Sequence, residues 1–323
     1  MKDVTAEQVD QPQHGFPHMA VIRESIRLLY KNLSAERMDR FSTDLSPSEL
    51  GSLYGKDLII GVQTMAGKIV RHLHLPIGSA IVTFHDMDKP GRVELGPENA
   101  YLIELNSKYL SDYRDISAVL AHEIAHVFLH RHRIRMKDTL QNEILTDTTA
   151  AFLGVGWPCL NAYRISESRE EHYHSADHRS VEVTRTEESL GYLTPEEFGY
   201  VLEKRSMIFG GKLKNLIQGR DAKKALYQGA KLARADYLQP PLAKAKRSDR
   251  SKYRVHRKFI EDVSRKSGLK GLSKEFSGYA FDISDSVRVV FACPICCQKL
   301  RLPTEVKVDA KCANCGSQFA CTT

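Results

Sequence analysis

The stretch His122-Glu123-Ile124-Ala125-His126 lies in an apolar-periodic segment near the middle of the chain. The periodicity predicts a helix from about Asp115 to the basic run His130 to Arg135. Residues four apart share one helix face, so the two histidines of this stretch can bind a single metal ion. The glutamate projects beside them, where it can hold a water molecule rather than the metal.

The chemistry of this pattern is zinc-dependent hydrolysis. Zinc lowers the pKa of a bound water to near neutrality, and Glu123 can take the proton of that water as general base. The same carboxyl can then pass the proton to the leaving amine of a peptide. The sequence therefore predicts a zinc metallopeptidase, a hydrolase whose first two ligands are His122 and His126.

A catalytic zinc normally takes three protein ligands and keeps a fourth position open, so a third ligand is expected elsewhere. Glu143 opens the next predicted helix, about Thr139 to Leu153, and is the first candidate. Asp147 lies one turn further on the same face, where it can accept a hydrogen bond from a ligand histidine. His132 is a rival third ligand, but Leu129 stands where a glycine would let the helix break and turn that histidine back.

The spacing resembles that of the gluzincin metallopeptidases, in which His-Glu-x-x-His is followed one helix later by Glu-x-x-x-Asp. The resemblance covers roughly Ile81 to Gly156 and implies a zincin-like domain of helices with a small antiparallel sheet. It also implies that the strand Tyr101 to Leu105 is an edge strand that binds extended substrate by β-addition. The chain departs from many such families at Thr146, where they have alanine.

Peptide hydrolysis also needs a donor to the oxygen on which negative charge develops. Several downstream side chains are candidates, and the sequence does not choose among them: Tyr163, His172, Tyr173, His174 and His178. The three histidines in this group also allow a second metal site. The composition of Arg164 to Glu188 favours a solvated loop or insertion instead.

A second zinc is predicted near the C-terminus. Two Cys-x-x-Cys pairs with fifteen residues between them give four thiolates for one closed, tetrahedral, structural site: Cys293, Cys296, Cys312 and Cys315. The pattern resembles a zinc ribbon, with strands before the first pair, around Leu300 to Leu302, and beyond Gly316. Such a site supplies folding energy to a module too small for its own core.

The remaining cysteines are interpreted without a metal role. The residue after the second cysteine of such a pair often needs a left-handed backbone, and Gly316 meets that need. Cys297 occupies the equivalent place in the first pair and is therefore interpreted as backbone of the turn rather than as a ligand. Cys159 and Cys321 are interpreted as spare thiols.

Charge is distributed unevenly. The net charge is +7, and the segment 200–275 alone holds 21 Lys or Arg against 7 Asp or Glu. Tyrosines are interleaved with this basic run, so a nucleic acid is a candidate partner through residues 212–266; a solvated basic face is the alternative. No stretch of about 18 apolar residues exists, so no membrane span is expected. With no export signal at the start, we expect a cytoplasmic protein.

Together these patterns predict an α+β chain of several parts. Residues 1–17 are expected to be a disordered tail, and 18–205 a zincin-like peptidase domain. Residues 206–285 are expected to form a basic helical region or linker, and 286–323 a small β zinc ribbon.

The predicted function is a zinc endopeptidase, with one catalytic and one structural zinc, that is targeted to a protein or peptide substrate by the basic region and the ribbon. Two alternatives remain. One is a protease similar to the SprT-like enzymes, which act on proteins bound to DNA and use a third histidine ligand. The other is a non-catalytic zinc protein that binds nucleic acid, in which Glu123 would have no role.

Overall fold

The structure is a computed structural model that describes residues 13–39, 41, 51–52, 57–76, 78–95, 100–175, 178–211, 213–267, 271–304 and 307–322. Its helices are α1 Met19–Asn32, α2 Ala35–Asp39, α3 Leu58–His72, α4 Tyr113–Arg131, α5 Thr139–Phe152, α6 Trp157–Ala162, α7 Pro195–Phe209, α8 Leu213–Leu216, α9 Arg220–Tyr237 and α10 Arg247–Ser267. Its strands are β1 Ser79–His85, β2 Gly91–Val93, β3 Ala100–Asn106, β4 Arg164–Ser175, β5 His178–Glu188, β6 Leu272–Phe276, β7 Tyr279–Ile283, β8 Val287–Ala292, β9 Lys299–Pro303, β10 Lys307–Lys311 and β11 Gln318–Thr322.

The helix that carries the two motif histidines, α4, is buried between α3, α5 and α6. Asp112 caps its first turn by accepting a hydrogen bond from the Arg114 backbone N–H at 2.8 Å. Ile116, Leu120 and Ile124 have no exposed surface, as their helical spacing predicted. A buried helix holds its side chains more rigidly than a loop does, which suits a site that needs fixed geometry.

A three-stranded sheet in the order β1-β3-β2 lies beside α4. Strand β1 runs parallel to β3, and only β2 runs antiparallel to it, so the sheet is mixed rather than antiparallel as predicted. The segment Tyr101 to Leu105 lies in β3, the central strand, and its prediction as the edge strand is wrong. Strand β2 takes the edge position beside α4. Strand order depends on long-range pairing, which the apolar pattern within one strand does not encode.

Three helices predicted from the sequence are present among the described residues. The helical spacing of Ile22, Ile26 and Leu29 predicts a helix from His18 to Leu33, which α1 confirms, and α5 confirms the one expected from Thr139 to Leu153. The start pattern Ser46-Pro47-Ser48-Glu49 predicts a helix that runs to Leu75, and α3 confirms its later part. The predicted start of that helix at Ser46 lies outside the described residues.

Helix α7 begins with a capping box. The Thr194 hydroxyl accepts from the Glu197 N–H at 3.1 Å, and the Glu197 carboxylate accepts from the Thr194 N–H at 3.1 Å. The Thr194 hydroxyl also donates to the Gly15 carbonyl at 2.7 Å. Of the segment 1–17 that was expected to be a disordered tail, Gly15 therefore contacts the start of α7, and residues 1–12 lie outside the described part of the chain.

The segment expected to be a loop, Arg164 to Glu188, is instead an antiparallel hairpin of β4 and β5. Its base is held by Arg164, which pairs with Asp115 of α4 at 2.7 Å and with Glu188 at 2.6 Å. Polar residues fill most positions of this segment, so the alternation that marks a half-buried strand is missing from the sequence.

Helix α7 ends before Gly210 and Gly211, and α9 ends before Gln239. Strands β6 and β7 follow α10, inside the range 206–285 that was expected to be a basic helical region or linker. They join β8 and β9 in a four-stranded antiparallel sheet, and β10 pairs with β11. The ribbon strands predicted before the first cysteine pair, around Leu300 to Leu302 and beyond Gly316 are β8, β9 and β11.

The helices among the described residues include none that is both long and apolar enough to cross a bilayer. The turns that follow β8 and β10 contact the helices directly: Lys204 of α7 donates to the Pro294 carbonyl at 2.7 Å, and Asn314 donates to the Arg27 carbonyl of α1 at 3.2 Å. The domain boundaries proposed from the sequence stay a prediction.

Candidate metal centres

Three ligand-type atoms converge at the face of α4. The Nε2 atoms of His122 and His126 lie 3.0 Å apart, and the Glu143 Oε2 lies 3.1 Å from the first and 3.2 Å from the second. A four-coordinate zinc with bonds of about 2.0–2.1 Å holds neighbouring ligand atoms about 3.4 Å apart. The triangle therefore fits one such ion, and its two-histidine, one-carboxylate composition is that of a catalytic zinc site.

The far side of each histidine ring has its own partner. His122 donates from Nδ1 to the Asp147 carboxylate at 2.7 Å, and His126 donates from Nδ1 to the Thr146 hydroxyl at 3.2 Å. Each of these bonds places the proton on Nδ1 and leaves the Nε2 lone pair facing the centre of the triangle. Three lone pairs then face one point with no hydrogen among them, an arrangement that a cation stabilises.

The charges around the triangle favour a positive group. Burial lowers the pKa of His122, but Asp147 and Glu143 outweigh it and raise that pKa to about 10. Partial burial acts to raise the pKa of Glu143, yet its hydrogen bonds to the two histidines lower it to about 2. A site that attracts a proton this strongly also attracts a divalent cation.

Glu123 is set next to the triangle but is not one of its ligand atoms. Its side chain is only 7% exposed, and burial raises its pKa. Gly91 of β2 packs against it so closely that a Cβ at position 91 would lie 3.1 Å from Glu123 Oε1 and 2.5 Å from Val119 Cγ1. A buried carboxyl with a raised pKa is suited to accept and return a proton near neutral pH.

An open cleft of about 460 Å³ connects the metal triangle of His122, His126 and Glu143 to solvent. Strand β2 forms one wall, and the loop Ser189 to Tyr192 forms another. Within the β2–β3 pair, the Glu94 N–H donates to the Leu102 carbonyl at 3.0 Å, and the Pro90 carbonyl accepts from the Asn106 N–H at 3.0 Å. Because such bonds alternate along an antiparallel pair, the peptide groups of Gly91 and Val93 face away from β3, along the free edge.

Asp147 also fixes the loop opposite β2. It is fully buried, and its Oδ2 accepts from the backbone N–H groups of Tyr192 and Leu193, the latter at 3.2 Å. Gly191 makes this approach feasible, because its φ is +102° and a Cβ there would lie 2.7 Å from Asp147 Oδ2. The Tyr192 ring stacks on His122 with centroids 5.9 Å apart.

Tyr192, Gly91 and the Thr146 hydroxyl were missed as functional residues. Tyr192 follows a glycine and precedes a helix start, which is a weak loop signal, and Thr146 was noted only as a departure from a family pattern. The Tyr163 hydroxyl contacts Glu187 at 3.5 Å and does not line the cleft. The side chains of His172, Tyr173, His174 and His178 lie outside the described residues.

The rival ligand His132 lies apart from the triangle. It ends α4, its Nδ1 donates to the Phe128 carbonyl at 2.9 Å, and its ring stacks on Phe128 at 4.1 Å. Of the two third ligands considered, the structure brings only Glu143 to the two motif histidines.

The second candidate centre is formed by the four C-terminal cysteines, whose sulfurs all lie within 4.8 Å of one another. The Cys293–Cys315 sulfurs are 3.7 Å apart, and the Cys296–Cys312 sulfurs are 3.5 Å apart. Zinc–sulfur bonds of about 2.3 Å set tetrahedral neighbours about 3.8 Å apart. The four thiols therefore fit one zinc ion with no position left open.

The two turns that carry these cysteines have the same backbone. Cys297 N–H donates to the Cys293 carbonyl at 3.0 Å, and Gly316 N–H donates to the Cys312 carbonyl at 2.9 Å. Cys297 has φ 60° and Gly316 has φ 73°, so the left-handed position predicted for Cys297 is confirmed. Outside this group, the Cys159 thiol lines the cleft and donates to the Ala118 carbonyl at 3.7 Å.

Comparisons of the chain with protein-family models, with characterised proteins and with solved structures found no match. The geometry of the chain itself defines its class. Its described residues form an α+β structure with two candidate metal sites, one of two histidines and a glutamate beside an open cleft, and one of four cysteines.

Proposed function

We propose that this chain is a zinc-dependent endopeptidase that hydrolyses peptide bonds in extended polypeptide segments. One observation carries the proposal: His122, His126 and Glu143 converge at 3.0–3.2 Å beside the buried carboxyl of Glu123, at the wall of an open cleft. A purely structural metal site has no need for an open cleft or for a neighbouring base.

The chemistry is divided between an ion and the chain. A zinc ion at the triangle would supply a Lewis acid and a water of near-neutral pKa. Glu123 accepts the proton of the attacking water on its carboxylate and donates it to the leaving amine. Its raised pKa brings both transfers closer to balance near neutral pH.

The substrate is proposed to bind along the free edge of β2. The outward peptide groups of Gly91 and Val93 can pair with an extended backbone, and such pairing needs no particular substrate sequence. Apolar side chains line part of the same cleft, among them Val93, Ala118, Val119 and Leu190. These features favour an unfolded or flexible segment with an apolar side chain near the cleaved bond.

Tyr192 is proposed to donate a hydrogen bond to the carbonyl oxygen as negative charge develops on it. Its ring is stacked on His122, it is 47% exposed towards the cleft, and its backbone is held by Asp147. The zinc ribbon and the basic region are proposed to direct the enzyme to its substrate.

The two alternative functions, an SprT-like protease and a non-catalytic zinc protein, have less support. A site of SprT-like type uses a third histidine, whereas Glu143 occupies the third position here. A non-catalytic zinc protein would leave unexplained why Glu123 is buried beside the triangle with a raised pKa.

Substrate trapping tests the proposal. The Glu123→Gln protein should retain bound polypeptides that the wild type, loaded with zinc, then cleaves; a chelator should stop this cleavage and added zinc should restore it. Glu36→Gln, a change at an exposed glutamate of α2, is the matched control and should retain nothing. Captured proteins that zinc-loaded wild type leaves intact would contradict the proposal.

A further inference from the structure

A second groove, of about 770 Å³, lies far along the chain from the catalytic motif. Residues of helices α9 and α10 line it, together with the turn Ser277 to Tyr279 before and at the start of β7. None of the residues that line it lines the catalytic cleft. The groove therefore has no part in the peptidase site.

The groove is positively charged. Lys231, Lys246 and Lys252 line it, are exposed, and make no ion pair among the described residues. Two carboxylates line the groove. Asp236 forms an ion pair with Arg23 at 2.7 Å, whereas Asp249 pairs with no basic side chain among the described residues. Three free ammonium groups around one carboxylate favour an anionic ligand.

An aromatic side chain stands among these charges. Tyr227 lines the groove from α9 and is 72% exposed, so a ring face is open to solvent. Lys224 and Lys231 lie three residues before and four after it, on the same helix face. Packing explains such a side chain poorly, because 72% of the Tyr227 surface is exposed among the described residues.

We infer that this groove binds single-stranded nucleic acid. The lysines contact phosphates, and Tyr227 stacks on a base. In a duplex the base faces are already stacked on one another, which would leave the tyrosine ring without a partner. An acidic polypeptide offers negative charge but no succession of planar faces to meet that ring.

Binding of this kind is expected to tolerate many sequences and to weaken with salt. It does not depend on the proposed peptidase activity, because neither Glu123 nor the metal triangle takes part. A failure of one proposal would therefore leave the other unaffected.

The experiment measures binding of a fluorescein-labelled oligothymidine of about 20 nucleotides to the full-length protein by fluorescence anisotropy, between about 50 and 200 mM salt. Replacing Lys231 and Lys252 by alanine together should weaken binding about tenfold and reduce the slope of log K against log salt by about 1.4. Tyr227→Ala should weaken binding about tenfold, and Tyr227→Phe should restore it.

The matched control replaces two exposed lysines outside the groove, Lys31 and Lys214, with alanine, and should change binding less than twofold. Equal losses in the groove and control variants would overturn the proposal. So would a Tyr227→Ala protein that binds as tightly as wild type, or a duplex or poly-glutamate probe that binds more tightly than the single strand.

Discussion

The carboxylate of Asp147 connects His122 to the opposite wall of the open cleft beside the metal triangle. One oxygen accepts from the His122 Nδ1 at 2.7 Å, and the other accepts from the Leu193 N–H at 3.2 Å. The same side chain thus sets which ring nitrogen faces the metal triangle and where the loop with Tyr192 lies. Position 147 is therefore coupled to both metal binding and the shape of the cleft.

Asp147→Asn should weaken zinc binding at the histidine site by about 10- to 100-fold. An amide NH2 facing the His122 Nδ1 would favour the tautomer with its proton on Nε2, the atom that must bind the metal. Competition with a zinc chelator measures the affinity. Asp309→Asn, at an exposed position of β10, is the control, and an equal affinity in the two variants would contradict this role.

Thr146→Val should weaken zinc binding less, by about tenfold at most, because a neutral hydroxyl holds the His126 ring less strongly than a carboxylate would. Valine keeps the side-chain shape in a position that is 1% exposed. Thr149→Val is a close control, since that hydroxyl also bonds its own helix but contacts no histidine. If the two variants bind zinc alike, the Thr146 hydroxyl does not orient His126.

Gly91→Ala should lower kcat/KM by about 100-fold with a loss of stability of about 1–3 kcal/mol. The added methyl would meet Val119 and Glu123 and push β2 away from α4. A second change, Val119→Ala, removes the closest contact and should restore part of the activity. Gly67→Ala is the control, because its nearest contact is an ordinary 3.7 Å; an active Gly91→Ala enzyme would contradict the role of β2.

Cys312→Ser should release one zinc ion per chain and lower the midpoint of thermal unfolding, because the four-cysteine site supplies folding energy to the ribbon. Cys321→Ser changes a thiol that is equally buried but lies outside the cysteine group. It should leave the zinc content unchanged. Elemental analysis of the two proteins decides the matter, and unchanged zinc in Cys312→Ser would mean that the site is not a zinc site.

Local spacing made much of the site predictable. Histidines four apart share a helix face, a carboxylate pair four apart on the next helix shares another, and paired cysteines need left-handed turns at fixed places. Each of these relations lies within one element, where chain geometry is set by sequence separation alone.

Relations between elements were not predictable in this way. The edge position of β2 depends on which strands pair, and the sequence pattern of β3 would suit a central or an edge position. The sequence of the β4–β5 hairpin is polar at most positions and therefore lacks the alternation that would have marked its strands. Gly91 and Tyr192 owe their places to contacts with residues 28 to 70 positions away along the chain.

The most direct test compares wild type with Glu123→Gln on one substrate peptide, with zinc content measured on the same preparations. We predict two zinc ions per chain in both proteins, and cleavage at least about 100-fold slower in the variant. Cleavage at the wild-type rate by a zinc-loaded Glu123→Gln protein would contradict the assignment of this site as a peptidase centre.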